Sequence, residues 1–139
     1  MRLGVWLHDI GHYPLPTEID HAVRGEERAR EFLTNEGFDR IKIERVCHCV
    51  RAHRCKDVLP ETIEARIIAA ADSAGHITDT AMYPSIAQKD KQNGVPFRVY
   101  AKIERDWRDL AFFPEVQTEL EELHQAWKVV LKAYEKIAF

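Results

Sequence analysis

The stretch Trp6-Leu7-His8-Asp9-Ile10-Gly11-His12-Tyr13, WLHDIGHY, decides how the chain is read. An apolar run ends in an adjacent His and Asp, and Gly11 follows two residues later. Residues 2–10 read as the last turns of a helix, closed by Gly11 as a C-terminal stop. A helix of two turns is marginal by itself. It is therefore expected either to be held by packing or to be the tail of a longer element. His8 and Asp9 then stand at a helix end.

Working outward, helical periodicity continues almost everywhere and sustained period-2 alternation is nearly absent. Residues 12–19, with Pro14 and Pro16, read as a loop. A second helix is expected from about Asp20 to Asn35, stopping at Gly37, with His21, Ala22, Gly25, Ala29, Phe32 and Leu33 inward. A third runs from Asp39 or Arg40 to His53, with Val46, Cys49, Val50 and His53 on one face. A fourth covers about Glu61 to Thr80, with Ile63, Ile67, Ala70, Ala71 and Ala74 as its core side. Residues 84–96, PSIAQKDKQNGVP, are polar and bounded by prolines, and read as a loop or flap. Helices over about Arg98–Leu110 and Glu115–Ile137 complete the pattern. The last carries a stripe of Val116, Leu120, Leu123, Trp127, Val130, Tyr134 and Ile137. The expectation is an all-α bundle of about six helices in a single domain spanning 1–139, with the motifs in about 3–80.

Composition narrows the function classes. The 139 residues suit one core, and the formal net charge of −3 gives no electrostatic case for nucleic acid. No apolar run approaches the roughly 20 residues that cross a bilayer. Cys47, Cys49 and Cys55 are an odd, clustered set without a visible signal peptide, so a reduced cytoplasmic setting is expected. A zinc site built from Cys47, His48, Cys49, His53 and Cys55 is disfavoured. Cys47 and Cys49 point about 200° apart on a helix.

The chemistry is carried by where His and Asp fall. His8 and Asp9 end the first helix, His21 opens the second and His53 ends the third. Asp72 sits inside IIAAADSAGHI. A carboxylate in such a run is costly to bury as a charge unless a cation or donors meet it. A metal ion would do so, with neutral imidazoles beside it. A His/Asp set with no thiolate suits Mn, Fe, Co, Zn, Mg or Ni as a divalent ion.

The order LHDIGHY, DHAVRGEERAREFL, VCHCVRAHR and EARIIAAADSAGHI, over about residues 3–80, resembles the HD-domain superfamily of metal-dependent phosphohydrolases. The resemblance implies an all-α HD-like bundle, and one or two metal ions held by His8, Asp9 and Asp72. Asp9 would bridge in a two-metal site, with His21 and His53 on the second ion. In a one-metal site His21 and His53 would face the substrate phosphate. A metal-activated water would attack the phosphorus of a small phosphomonoester or nucleotide. Asp9, His21 and His53 are then the catalytic candidates. Arg24 and Arg51 are candidates to grip phosphate.

Two departures from the family pattern stand out. The family's first His lies on an earlier helix, whereas only seven residues precede His8 and none is His. His12 or His76 is the candidate replacement. Asp72-Ser73-Ala74-Gly75 also replaces the Asp-Arg-Leu-Asp of many relatives. The alternative is thus an HD-like module that binds metal, nucleotide or a partner without turnover. His48 lies about 140° from His53 on the third helix and reads as a surface residue. A homodimer covering apolar surface is a further expectation.

Overall fold

A computed structural model of the chain describes residues 1–14 and 18–137. Leu15, Pro16 and Thr17, within the loop expected over 12–19, lie outside the described residues. Among the described residues the fold is seven α-helices with two short 3-10 turns and no strand. No described helix is long and apolar enough to cross a membrane. The chain divides into two compact units, Met1–Ala69 and Ala70–Phe139.

The first unit contains α1 (Arg2–Leu7), a 3-10 turn (Ile10–His12), α2 (His21–Asn35), α3 (Arg40–Ala52) and the opening of α4 (Ile63–Thr78). Side-chain caps start two of these helices. Asp20 accepts from Ala22 N at 2.9 Å, and Asp39 accepts from Lys42 N at 2.9 Å. The end of α2 is a Schellman turn. Gly37 adopts φ +74°, its N–H reaches Thr34 O, and Phe38 N reaches Leu33 O. Phe38 is thereby laid against a core of Leu7, Ala29, Leu33, Ile43, Val46, Cys47 and Val50. Cys49 belongs to a separate cluster with Ala65 and Ile68. Cys47 and Cys49, two apart on α3, face different cores, which agrees with the disfavoured zinc reading. Burial pushes the thiols of Cys47 and Cys49 up.

The sequence misplaces the end of the first helix. Gly11 lies inside the 3-10 turn rather than capping a helix. Its role is close approach. A Cβ there would stand 1.8 Å from the His21 carbonyl oxygen and 2.5 Å from Gly25 N. At Gly25 a Cβ would meet Val50 Cγ1 at 3.0 Å. Two glycines therefore let the turn lie backbone to backbone on α2, which sets the His-Asp doublet beside the start of α2.

The second unit holds the rest of α4, α5 (Met82–Gln92), α6 (Val99–Asp109), a 3-10 turn (Leu110–Phe112) and α7 (Pro114–Glu135). Its core includes Ile77, Tyr83, Val99, Ile103, Trp127 and Leu131. The loop expected over 84–96 is largely a helix. Pro84 stands in the first turn of α5, where its missing N–H costs nothing. Gly94, at φ +61°, closes α5 through Gly94 N to Lys91 O and Val95 N to Asp90 O. Asp90 in the charged run KDK is fully buried and accepts from Arg98 N and Nε at 2.8 and 2.7 Å. It ties down the short connection to α6.

Two inward stripes also rotate, and in α2 Ala22, Gly25, Ala29 and Leu33 are buried as expected while one member turns out. In α4 the buried residues include Ala65, Ile68, Ala69, Ala70, Ser73 and Ile77, while Ile63 and Ala71 are exposed. In α7 His124, Trp127 and Leu131 are buried, whereas Leu123 and Val130, and Ile137 just beyond the helix, are exposed. Phe32 of α2 is likewise exposed. A polar residue on a core face explains the α4 and α7 cases. Ser73 and His124 occupy inward positions that an apolar-only count assigns to neighbours.

Candidate metal centre

Two helix ends set the histidines. His8 is the C-cap of α1 and His53 the C-cap of α3. The last carbonyls of a helix lack intrahelical partners. Each imidazole uses one. His8 Nδ1 donates to Val5 O at 2.8 Å, and His53 Nδ1 donates to Val50 O at 2.7 Å. A carbonyl only accepts, so the proton sits on Nδ1 and the lone pair on Nε2. Both Nε2 atoms are thus presented as acceptors. This is the tautomer that ligates metal, fixed by an outer hydrogen bond.

Those lone pairs face Asp9. His53 Nε2 and His21 Nε2 each lie 3.7 Å from Asp9 Oδ1, and 3.1 Å from one another. His12 Nε2 is 3.5 Å from the same oxygen. The other carboxylate oxygen, Oδ2, faces His8 Nε2 at 3.4 Å. His12 also stacks on His21 with ring centroids 4.0 Å apart. Asp9 is half exposed, while the His53 side chain is 1% exposed. The cluster is therefore a rim with a buried floor.

The donor set fits a divalent ion. Ligand atoms about 2.0–2.2 Å from a metal stand roughly 3.0–3.5 Å from one another in octahedral or tetrahedral shells. Asp9, His21 and His53 offer one atom each within 4.8 Å of one another. Drawing the two 3.7 Å separations in by a few tenths of an ångström would bring all three atoms to the spacing of ligands on one ion. Two imidazoles and a carboxylate with no thiolate suit Mn, Fe, Co, Ni or Zn.

The other candidates are placed differently. Arg51 is engaged with the carboxylate of Asp57 through two nitrogens and lies 3.5 Å from Glu26, so it is not presented to phosphate. Arg24 Nη2 donates to Tyr13 O and Pro14 O at 2.8 and 3.1 Å. Its Nη1 is buried with no hydrogen-bond partner among the described residues. His48 Nε2 accepts from Glu61 N at 3.0 Å and steadies the approach to α4. Asp72, half-buried on α4 in the second unit, has His76 Nε2 3.6 Å from Oδ1. His76 there contacts Lys102 at 2.7 Å.

Sequence reasoning missed Lys102 and Asp106. The signal was available. Asp106 stands at a core position of α6 beside Val99, Ile103 and Leu110 in spacing, with Lys102 one turn before it.

A family model for the HD domain matches residues 1–74. The chain belongs to the HD-domain family. The match takes in the His8-Asp9 doublet, His21, His53 and Asp72. HD domains form a superfamily of metal-dependent hydrolases with all-α folds, in keeping with the helices described above. Searches of curated proteins and of solved structures found no match.

Proposed function

We propose that this HD domain hydrolyses a small phosphomonoester or nucleotide with the help of one or two divalent ions. The observation that carries the reading is the convergence of Asp9 Oδ1, His21 Nε2 and His53 Nε2, at 3.1 to 3.7 Å from one another. On the family pattern His8, Asp9 and Asp72 would hold one ion, and His21 and His53 would join Asp9 on a second. The two oxygens of Asp9 face different histidines, which suits a bridging carboxylate.

When bound, the metal supplies an activated water and neutralises charge on the phosphoryl oxygens. The chain's own residues do the rest. Val5 O and Val50 O hold the His8 and His53 rings with Nε2 inward. Asp9 balances part of the positive charge. The half-exposed rim at Asp9 and His12 leaves an approach for a charged substrate. Arg24 keeps one buried N–H without a protein partner among the described residues, and we assign it to a phosphate oxygen.

The test is metal content and phosphate release on the full chain loaded with Mn²⁺. The panel consists of p-nitrophenyl phosphate and nucleoside monophosphates. The wild type should release phosphate. Asp9→Ala should lose the bound metal and at least about 100-fold of the rate, since even outer-shell changes cost 10–100-fold. Metal binding without turnover on any substrate would replace the hydrolase by a binding module. Unchanged metal content in Asp9→Ala would remove the site itself.

A further inference from the structure

The second unit holds a chain of buried and half-buried polar groups on α4, α5 and α6. Lys102 on α6 is mostly buried, and its Nζ lies 2.6 Å from each oxygen of Asp106, one turn along the same helix. Tyr83 OH donates to Asp106 Oδ2 at 2.9 Å. Asp106 is 2% exposed. A buried ammonium is tolerated when paired and hydrogen-bonded, and Asp106 meets that need. Burial pulls the Lys102 ammonium down while Asp106 opposes it.

The third contact of Lys102 goes elsewhere. Its Nζ stands 2.7 Å from His76 Nδ1. Asp106 Oδ2 also lies 3.5 Å from Nδ1, but it already accepts from Tyr83 and Lys102, and the nearer ammonium has donors and no acceptor, which places the lone pair on Nδ1. The His76 proton is then on Nε2. That nitrogen lies 3.6 Å from Asp72 Oδ1, one turn earlier on α4. The pair stands within ion-pair range and just beyond hydrogen-bond length. His76 thus has the opposite tautomer to His8 and His53, and it is aimed at a carboxylate as a donor.

We propose that Lys102 and His76 are positioning residues for Asp72. Lys102 fixes the His76 tautomer, and His76 Nε2–H orients the Asp72 carboxylate for a metal. The inference rests on the assignment of Asp72 as a ligand. Metal-ligating carboxylates are in turn held by hydrogen bonds from such outer-shell partners.

Two measurements test it. Long-range ¹H–¹⁵N correlation on the wild type without metal should place the His76 proton on Nε2, with both ring shifts changing in Lys102→Met. A proton on Nδ1 overturns the proposal. Cobalt(II) titration is the second. Lys102→Met and His76→Leu should bind about 10–100-fold more weakly than wild type. His76→Gln, which keeps a donor and an acceptor, should stay within about fivefold of wild type. Wild-type affinity in Lys102→Met, with binding lost in Asp72→Ala, overturns the positioning role and leaves the ligand assignment standing. Wild-type affinity in Asp72→Ala overturns both. Melting of each metal-free variant separates misfolding from weakened binding. If Lys102→Met fails to fold, His76→Gln against His76→Leu decides by the same affinity difference.

Discussion

The two compact units both bury histidines, but they hold them in opposite ways. In Met1–Ala69, His8 and His53 cap helix ends and give Nδ1–H to the carbonyl three residues back. Their Nε2 lone pairs face Asp9. In the second unit, His76 sits within the last turn of α4 and takes a proton donor on Nδ1. His124 lies within α7, stacked on Trp107 at 4.2 Å, with neither nitrogen hydrogen-bonded among the described residues. The same side chain becomes a ligand, a donor or a packing ring according to which backbone groups are left over. A helix C-terminus leaves carbonyls spare, and a helix interior does not.

The first unit's arrangement depends on backbone contact at Gly11, so the largest effect is expected there. In Gly11→Ala the new methyl would stand 1.8 Å from His21 O, a backbone atom that no side-chain rotation can move. The turn and α2 must separate. Overpacking of this kind costs up to about 3 kcal/mol, or a fall of about 10 °C in Tm. Asp9 would leave His21 and His53, so cobalt(II) binding should fall with stability. An unchanged Tm and affinity would break the claim that close approach builds the site.

The carboxylates sharpen the contrast. Asp9 is half exposed among imidazoles. Asp109 is 3% exposed, and burial pushes its carboxyl up to about 6, with the Arg108 guanidinium pulling the other way. Its ordinary value is 3.8, so the folded state holds the proton more tightly than the unfolded state. The associated stability is complete below about pH 4 and is lost as pH rises through about 6. Asp109→Asn removes that loss. It should stabilise the protein at pH 7 by about 2 kcal/mol relative to its effect at pH 4. Denaturant unfolding at the two pH values checks this. An equal effect at both would show that Asp109 ionises freely in the fold.

Much of the first unit was legible and less of the second. Helix-end His8 and His53 could be read because an apolar period stops where each imidazole appears. Caps at Asp20 and Asp39 were equally local signals. The inward stripes of α4 and α7 were not legible, because Ser73 and His124 hold core positions that a hydrophobic count passes over. Helix α5 was hidden by Pro84 and by a charged run in which Asp90 is buried. Lys102 and Asp106 were overlooked, although the spacing of Val99, Ile103, Asp106 and Leu110 puts Asp106 on the core face of α6. The tautomers of His8, His53 and His76 were out of reach, since each depends on one neighbouring atom in space.

Gly75 offers the smallest effect and the counterpart to Gly11. It lies in the interior of α4, between Asp72 and His76, and a Cβ there would meet nothing within 4 Å. Glycine loses more backbone entropy than alanine on entering a helix, because its unfolded chain is freer. Gly75→Ala should therefore raise stability by about 0.5–1 kcal/mol. Neither the His76–Lys102 contact nor Asp72 is touched by an outward methyl, so cobalt(II) affinity should match wild type. Thermal melting and the metal titration together check both halves. A loss of affinity at wild-type stability would mean that α4 bends at Gly75 to present Asp72, and the contrast with Gly11 would then fail.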